Sequence, residues 1–375
     1  MSRRVVHYLD SDIFGGSEEA ALHLMASLDR ARWEPALMHH PGPGVARLVE
    51  GAGRLGVPTV AVPRPIPGGR LRSLAGLRQA LGAERPAILH VHLSWPLACK
   101  YGVLAGWLER VPAIVATAQL YLTTGSPGEQ RLMTMALRRV IAVSREVRTR
   151  YARELHVPER KLAVVPNGID VPAIVRRPDP ALRAELVRGR PDYVILTPAR
   201  LHEQKGHADL LVAAAMVPGA TFVLAGDGPL RAELERQAVE LKVADRCVFL
   251  GSRADVSDLL AAADLFVLPS LFEGLPLSVL EAMAAERPVV ATAIGGTDEA
   301  VAHEVTGLLV PPRDPTALAG AIRRLQADPA LARRLAAAGR ERVRREFSST
   351  VTAREVMRIY DEVAGPGRSA GGSHA

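Results

Sequence analysis

"LFVLPSLFEGLPLSVLEAMAA", residues 265 to 285, carries a strand, a turn and a helix in direct succession. LFVLPS is short, apolar and closed by Pro269, which reads as a buried strand. LFEG leaves its carboxyl end. LPLSVLEAMAA then reads as a helix with Pro276 near the first turn, where a missing N–H costs nothing. A strand handing over to a helix through a short turn is the repeating unit of a parallel sheet.

Working outward, the same unit recurs. The first half offers the strand candidates RVVHYLD, EPALMHH, VPTVAV, AILHVH, AIVATA, RVIAVS and LAVVPNG, separated by helical stretches. After the Pro-, Arg- and Asp-rich segment NGIDVPAIVRRPDP a second series begins: DYVILTPA, ATFVLAG, CVFLG, LFVLPS and PVVAT. The sequence thus predicts an α/β protein of two doubly wound, Rossmann-like domains, residues 1–170 and 191–348, joined by a linker over 171–190. A last helix, expected over about 350–364, follows the charged helix 331–345, and residues 365–375 have the composition of a disordered tail. Ligands of doubly wound sheets sit at the carboxyl ends of the strands, so two such domains imply a deep cleft between them.

Composition narrows the function. The chain has 375 residues, 48% hydrophobic and 23% charged, an ordinary globular balance. Cys99 and Cys247 lie far apart with no metal-like or redox-like spacing, which fits a reducing compartment. The opening MSRRVVHYLD passes at once into a strand, unlike a signal peptide, and the longest uncharged runs fall short of the roughly 20 apolar residues that span a bilayer. A cytoplasmic protein is expected. A net charge of +7 admits an anionic membrane surface, hence peripheral contact with the inner membrane, or a phosphorylated substrate. Only four of the 47 basic residues are lysines, and aromatics are 4% of the chain without basic interleaving, so no nucleic-acid partner is expected.

Two glutamates sit eight positions apart in the opening stretch. Glu281 falls about a turn and a half into the helix, where a carboxylate can accept from a ribose diol. Glu273 precedes the helix, where a hexose would lie. Between them the amides of Gly274 and Leu275 approach a positive helix end suited to phosphate. An exposed helical glutamate plus a loop glutamate remains the plain alternative. In TPARLHEQKGHADLL, Arg200 and Lys205 follow a strand, and such cations neutralise a diphosphate. SDIFGGSEEAALHL places a glycine pair between a strand and a helix, letting backbone approach an anion, although it is not G-x-G-x-x-G. His90 and His92 in LHVHLSW share one side of a strand. His92 is a candidate for lining an acceptor site, and with no third ligand at a recognisable spacing the pair predicts no metal.

In this order, FGGSE, IAVSREVRTRY, VVPNGID, ARLHEQKG, LAGDGPLRAELE, VFLGSRADVSDLLAAADLFVLPSLFEGLPLSVLEAMA and PVVATAIGGTDEAV resemble the GT-B retaining glycosyltransferases of family 4, over nearly the whole chain. Glu273 and Glu281 match the family's E-x7-E element. The resemblance implies that Arg200 and Lys205 grip the diphosphate of a nucleotide sugar and that Glu281 holds ribose. Glu273 would hold the sugar, Arg253 would lie near the base, and Gly16 would touch the donor phosphate from the first domain. It also implies that the final helix crosses back to that domain. Where the family commonly has histidine this chain has Gln119, which can donate a hydrogen bond but cannot act as a base.

The expected reaction is metal-independent transfer of a hexose from a nucleoside diphosphate, UDP or GDP, to a hydroxyl acceptor, with no cofactor. No Asp-x-Asp pair was identified near the proposed donor site. The acceptor is left open between a soluble small molecule and a lipid-linked one. A non-hydrolysing sugar-nucleotide epimerase and a catalytically idle sugar-nucleotide-binding module are the alternatives.

Overall fold

The computed structural model describes residues 2–64, 70–121, 127–188 and 193–365. These divide into two compact units, one formed by residues 1–168 with 349–375 and the other by 169–348. The segment expected as a linker is counted with the second unit and contains two short helices. Most of the expected tail, residues 366–375, lies outside the described residues.

Unit 1 runs β1 (Arg3–Leu9), α1 (Gly16–Ser27), β2 (Trp33–His39), α2 (Ala46–Arg54), β3 (Thr59–Ala61), α3 (Arg70–Glu84), β4 (Ile88–Leu93), α4 (Lys100–Leu108), β5 (Ala113–Ala118), α5 (Pro127–Ala136), β6 (Arg139–Ala142), α6 (Arg145–Arg153) and β7 (Leu162–Val164). Unit 2 runs α7 (Val171–Ile174), α8 (Pro180–Leu186), β8 (Tyr193–Pro198), α9 (His207–Ala215), β9 (Ala220–Ala225), α10 (Arg231–Glu240), β10 (Cys247–Phe249), α11 (Val256–Ala262), β11 (Leu265–Leu268), α12 (Leu277–Ala284), β12 (Val289–Thr292), α13 (Gly295–Ala300), β13 (Leu308–Val310), α14 (Pro315–Ala327) and α15 (Pro329–Glu346). The chain then returns to unit 1 as α16 (Ser349–Ala364).

Both sheets are parallel, ordered β3-β2-β1-β4-β5-β6-β7 and β10-β9-β8-β11-β12-β13. Every expected strand is present. The sixth strand of unit 2, β13, was not expected: its three residues, LLV, are too few to show a period. Strands with both faces covered are apolar throughout, as β5 and β9 show. Asp-Pro pairs start three helices of unit 2: Asp179, Asp314 and Asp328 accept amides of the first turn, and the proline after each fills the first helical position.

Each sheet reverses its winding at one place, between β1 and β4 in unit 1 and between β8 and β11 in unit 2. In unit 1, α1 and α16 cover one face, where Leu24, Leu28, Val356 and Tyr360 meet Val5, Ile88 and Val115. On the other face α4 lies against β4 and β5, so that a side chain at Gly106 would overlap Leu89 and Ile114.

The α16 face of that sheet also holds three stacked imidazoles, His7, His90 and His92. His7 Nδ1 and His92 Nε2 share a hydrogen bond of 3.0 Å. The ring nitrogens of His90 meet the Tyr360 hydroxyl at 2.5 Å and Thr117 Oγ1 at 2.7 Å. The expectation that His90 and His92 lack a third potential ligand is therefore corrected: sheet register brings His7 opposite His90 from a strand far away in sequence. Both nitrogens of His90 are already bonded to hydroxyls. Burial holds all three rings neutral, with His92 pushed down to about 3 and His7 and His90 well below the usual histidine value.

A histidine whose pKa is depressed by folding takes up its proton more readily when unfolded. Its contribution is intact above about pH 6.5 and is lost as pH falls toward the folded value. His207 in unit 2, lowered to about 4 chiefly by burial, acts in the same direction. The melting temperature should therefore fall between about pH 6.5 and 5, before most carboxylates titrate, and a His7→Leu/His92→Leu variant should show a shallower slope. A wild-type melting temperature that stays level across that window, followed by circular dichroism, would contradict the assignment.

Candidate active site

The loops that leave β8 and β11 meet at the reversal point of unit 2. After β8 the chain passes Arg200 and forms a single 3-10 turn over Glu203–Lys205. Gly206 then takes φ +65°, and a side chain there would strike the Pro269 carbonyl at 2.0 Å, so only glycine lets the two loops touch. This contact brings Lys205 to Glu273, and their side chains form an ion pair.

Glu273 is 5% exposed, and both of its carboxylate oxygens have partners. Ser270 Oγ donates to Oε1 at 2.8 Å, on the same oxygen that meets Lys205 Nζ, and Gln204 Nε2 approaches Oε2 at 3.4 Å. Gln204 also donates to the Phe272 carbonyl at 3.0 Å, and the Thr292 hydroxyl to the Ser270 carbonyl at 2.5 Å. Sequence reading assigned Lys205 to phosphate and Glu273 to sugar as separate tasks. The structure couples them, and adds Ser270, Gln204 and Thr292 as supports that spacing alone did not reveal.

Arg200 is exposed and has no ion-pair partner among the described residues. It is an exposed cation on the same loop as Lys205. Helix α12 begins at Leu277 with Pro276 as its cap, so Gly274 and Leu275, both buried, form the bend ahead of it. Glu281 lies four residues into the helix, about 6 Å along its axis, and is 8% exposed. The Gly274 carbonyl rests against Gly296 so closely that a side chain at Gly296 would lie 1.6 Å from it. Arg253 grips Asp255 with two hydrogen bonds, 2.7 and 2.5 Å, so its side chain is committed locally. A groove of about 320 Å³ beside this network is lined by His202, Glu203, Gln204, Leu271, Phe272, Pro312 and Arg313, and none of the candidate donor-binding residues borders it.

In unit 1 the loop after β1 leads into α1. Gly15 is its cap and its amide donates to Glu18 Oε2 at 2.9 Å, while Gly16 faces open space with nothing within 4 Å of a built side chain. The protein itself therefore does not require glycine at 16. Ser17 Oγ and Ser94 Oγ, 3.0 Å apart, join the loops after β1 and β4 across the reversal point.

One expectation needs revision here, and two other positions gain detail. His92 is 3% exposed and bonded to His7, so it lines no open surface. Gln119 exchanges hydrogen bonds of 3.3 and 2.7 Å with Asn167, so its amide is already partnered. An Asp-x-Asp spacing does exist at the end of β1, Asp10-Ser11-Asp12, which sequence reading passed over. Its carboxylates diverge in use: Asp10 accepts the Cys99 amide at 2.6 Å, with burial raising its pKa, and Asp12 pairs with Arg64.

Comparison with known proteins bears on this arrangement. Residues 179–342 match the family model for glycosyl transferases group 1, and residues 14–172 that for glycosyltransferase family 4. A 2-deoxystreptamine glucosyltransferase from Streptomyces kanamyceticus is 30% identical over 361 residues, covering 87% of this chain and 93% of the relative. The Escherichia coli UDP-Gal:alpha-D-GlcNAc-diphosphoundecaprenol alpha-1,3-galactosyltransferase is 28% identical over 282 residues, 70% and 72% of the two chains. Among solved structures, Anabaena Alr3699/HepE in complex with UDP and glucose superposes with a TM-score of 0.84 at 22% identity, covering 96% of this chain and 100% of that one. At that identity the likeness shows the fold.

The two glycines divide steric need from ligand access. Gly296→Ala should displace the Gly274 bend and lower stability by about 1–3 kcal/mol. Gly16→Ala should leave the melting temperature unchanged or slightly raised, because alanine favours a helix by up to about 1 kcal/mol. Thermal melts of the two variants side by side check this, and equal losses would contradict it.

Proposed function

Because the chain belongs to the glycosyltransferases of family 4 and has the family's GT-B fold, we propose that it moves a hexose from a nucleoside diphosphate to an acceptor hydroxyl with retention of anomeric configuration and without metal. The observation that carries this reading is the buried pair at the unit 2 reversal point, Lys205 held by Glu273, on the same loop as the unpaired Arg200. UDP is the nucleotide best supported, since the Escherichia coli relative is named for UDP-Gal.

As the bond between the anomeric carbon and the diphosphate breaks, negative charge grows on the leaving oxygens and positive charge on the sugar. Preorganised cations aimed at the leaving group lower the barrier most. Arg200 supplies a planar fork and Lys205 a compact ammonium, with the backbone ahead of α12 completing the anion site. The acceptor oxygen bonds to the anomeric carbon on the face from which diphosphate departs, and its proton passes to a departing phosphate oxygen. No side-chain base is needed, which agrees with Gln119 being an amide. Glu281 holds the ribose diol. Glu273 has two tasks: it fixes Lys205, and its carboxylate edge meets sugar hydroxyls.

Lipid-linked and soluble acceptors both occur among the relatives' names, so acceptor class is a matter for a panel assay. Incubation with UDP-hexoses and candidate acceptors should release free UDP in an acceptor-dependent way. An isomerised donor would point to an epimerase instead, and binding without product to an idle module.

Arg200 and Lys205 give different mutational signatures. Arg200→Ala removes an exposed, unpaired cation, so stability should hold within about 0.5 kcal/mol while turnover falls about a hundredfold. Lys205→Ala also strands a buried carboxylate, so it should lose stability as well, by a few kcal/mol. Restoring the balance in Lys205→Met/Glu273→Gln should recover stability without recovering turnover. Steady-state kinetics with thermal melts test this, and an Arg200→Ala enzyme of normal turnover would remove Arg200 from the mechanism.

Glu281→Gln should raise the Kd for UDP, whereas Glu273→Gln should lower kcat more than it weakens UDP, since its interactions matter most once charge develops. EDTA should leave turnover intact. Loss of activity restored by magnesium would overturn the metal-free mechanism.

A further inference from the structure

Among the described residues, large exposed apolar side chains gather on one part of unit 1. On α4 these are Leu104, Trp107 and Leu108, 40%, 63% and 38% exposed, and on α5 Leu132 and Met135, 70% and 66% exposed. Both helices connect neighbouring parallel strands and run the same way along the sheet. Lys100 Nζ meets Glu129 Oε1 at 3.4 Å, which aligns their first turns. Counting from that pair, Leu104 and Leu132 fall level in the next turn and Trp107 and Met135 level in the one after, while Arg110 and Arg138 each follow two residues past the end of their helix. The outer faces thus form two rows in register, apolar in the middle and cationic at the far end.

The charges around this strip are unbalanced in one direction. Its acidic residues are neutralised, Glu129 by Lys100 and Glu109 by Arg78. Arg110, Arg131, Arg138 and Arg160 are exposed and have no ion-pair partner among the described residues. Lys161 donates to the Thr134 and Met135 carbonyls, closing the end of α5 at 2.9 and 3.0 Å and adding charge beside Met135. No described helix is long and apolar enough to cross a membrane, so this strip is a surface feature.

We propose that the outer face of α4 and α5 is a docking surface for an anionic lipid bilayer, with Trp107, Leu132 and Met135 entering the headgroup boundary and the unpaired arginines meeting lipid phosphate. Contiguous exposed apolar area rimmed by polar groups marks an interaction site, and apolar side chains beside arginine suit the membrane interface, where basic residues are drawn to anionic lipid. Arginine also keeps its head in the wet phosphate layer while its stem lies on apolar surface. A second copy of this chain is the weaker occupant, because a two-fold contact through this face sets the same unpaired arginines against one another.

The test needs neither donor nor acceptor, so its outcome is separate from that of the transferase reading. The full chain is sedimented with vesicles of phosphatidylcholine alone or mixed with phosphatidylglycerol. It should sediment with the mixed vesicles, release as salt is raised, and stay in solution with phosphatidylcholine alone. Trp107→Ser/Leu132→Ser and, separately, Arg131→Gln/Arg138→Gln should each weaken binding about tenfold or more while circular dichroism and melting temperature hold. Absence of sedimentation, equal binding to both vesicle types, or unchanged binding by both variants would each overturn the proposal. So would a dimer in solution that Trp107→Ser disperses, which assigns the face to a second copy.

Discussion

The ion pair between Lys205 and Glu273 is the contact on which the arrangement of unit 2 turns. Its side chains are 15% and 7% exposed, so neither charge would be stable there alone. Forming it requires the loops after β8 and β11 to touch, which in turn requires glycine at 206, and Ser270 and Gln204 add hydrogen bonds to the carboxylate so placed. β8 and β11 are neighbours only because the sheet reverses its winding between them. Topology, loop contact and charge placement are therefore one constraint, and Arg200 is carried on the same loop as a cation already held in position.

Unit 1 repeats the geometry with different chemistry. Its reversal point is bridged by the hydroxyls of Ser17 and Ser94, and the Asp10 carboxylate is capped by the Cys99 amide. Cys99 itself takes φ +60° at the start of α4, a left-handed conformation that is rare outside glycine. One unit thus carries Arg200 and Lys205 at its carboxyl edge, and the other an open glycine, bridged hydroxyls and two aspartates that already have partners. That division suits a reaction in which one partner leaves as an anion.

The strand series was legible because buried parallel strands are nearly continuous apolar runs, and β1, β4 and β11 show this plainly. β13 was not, since three residues between Gly307 and Pro311 carry no periodicity. The charged candidates were conspicuous too: Glu273 and Glu281 stand out in an apolar stretch, and Lys205 by the rarity of lysine in the chain. Their partners were not. Gln204 reaches Glu273 only through sheet order, and His7 meets His90 and His92 through strand register, neither of which is written in local spacing. Gln119 shows the same limit, because its bond to Asn167 joins loops after two different strands.

The return of α16 makes unit 2 an insertion within unit 1 rather than a neighbour after it. Tyr360, fully buried, places its hydroxyl on His90 and its ring against Trp33. The core built on β1 to β7 is thus incomplete until α16, which follows the whole of unit 2, has been synthesised. Unit 2, contiguous in sequence, has all its parts much sooner. On the ribosome the order of completion is expected to run against the order of translation: the second unit closes first, and the first must hold part of its apolar sheet face uncovered until α16 arrives.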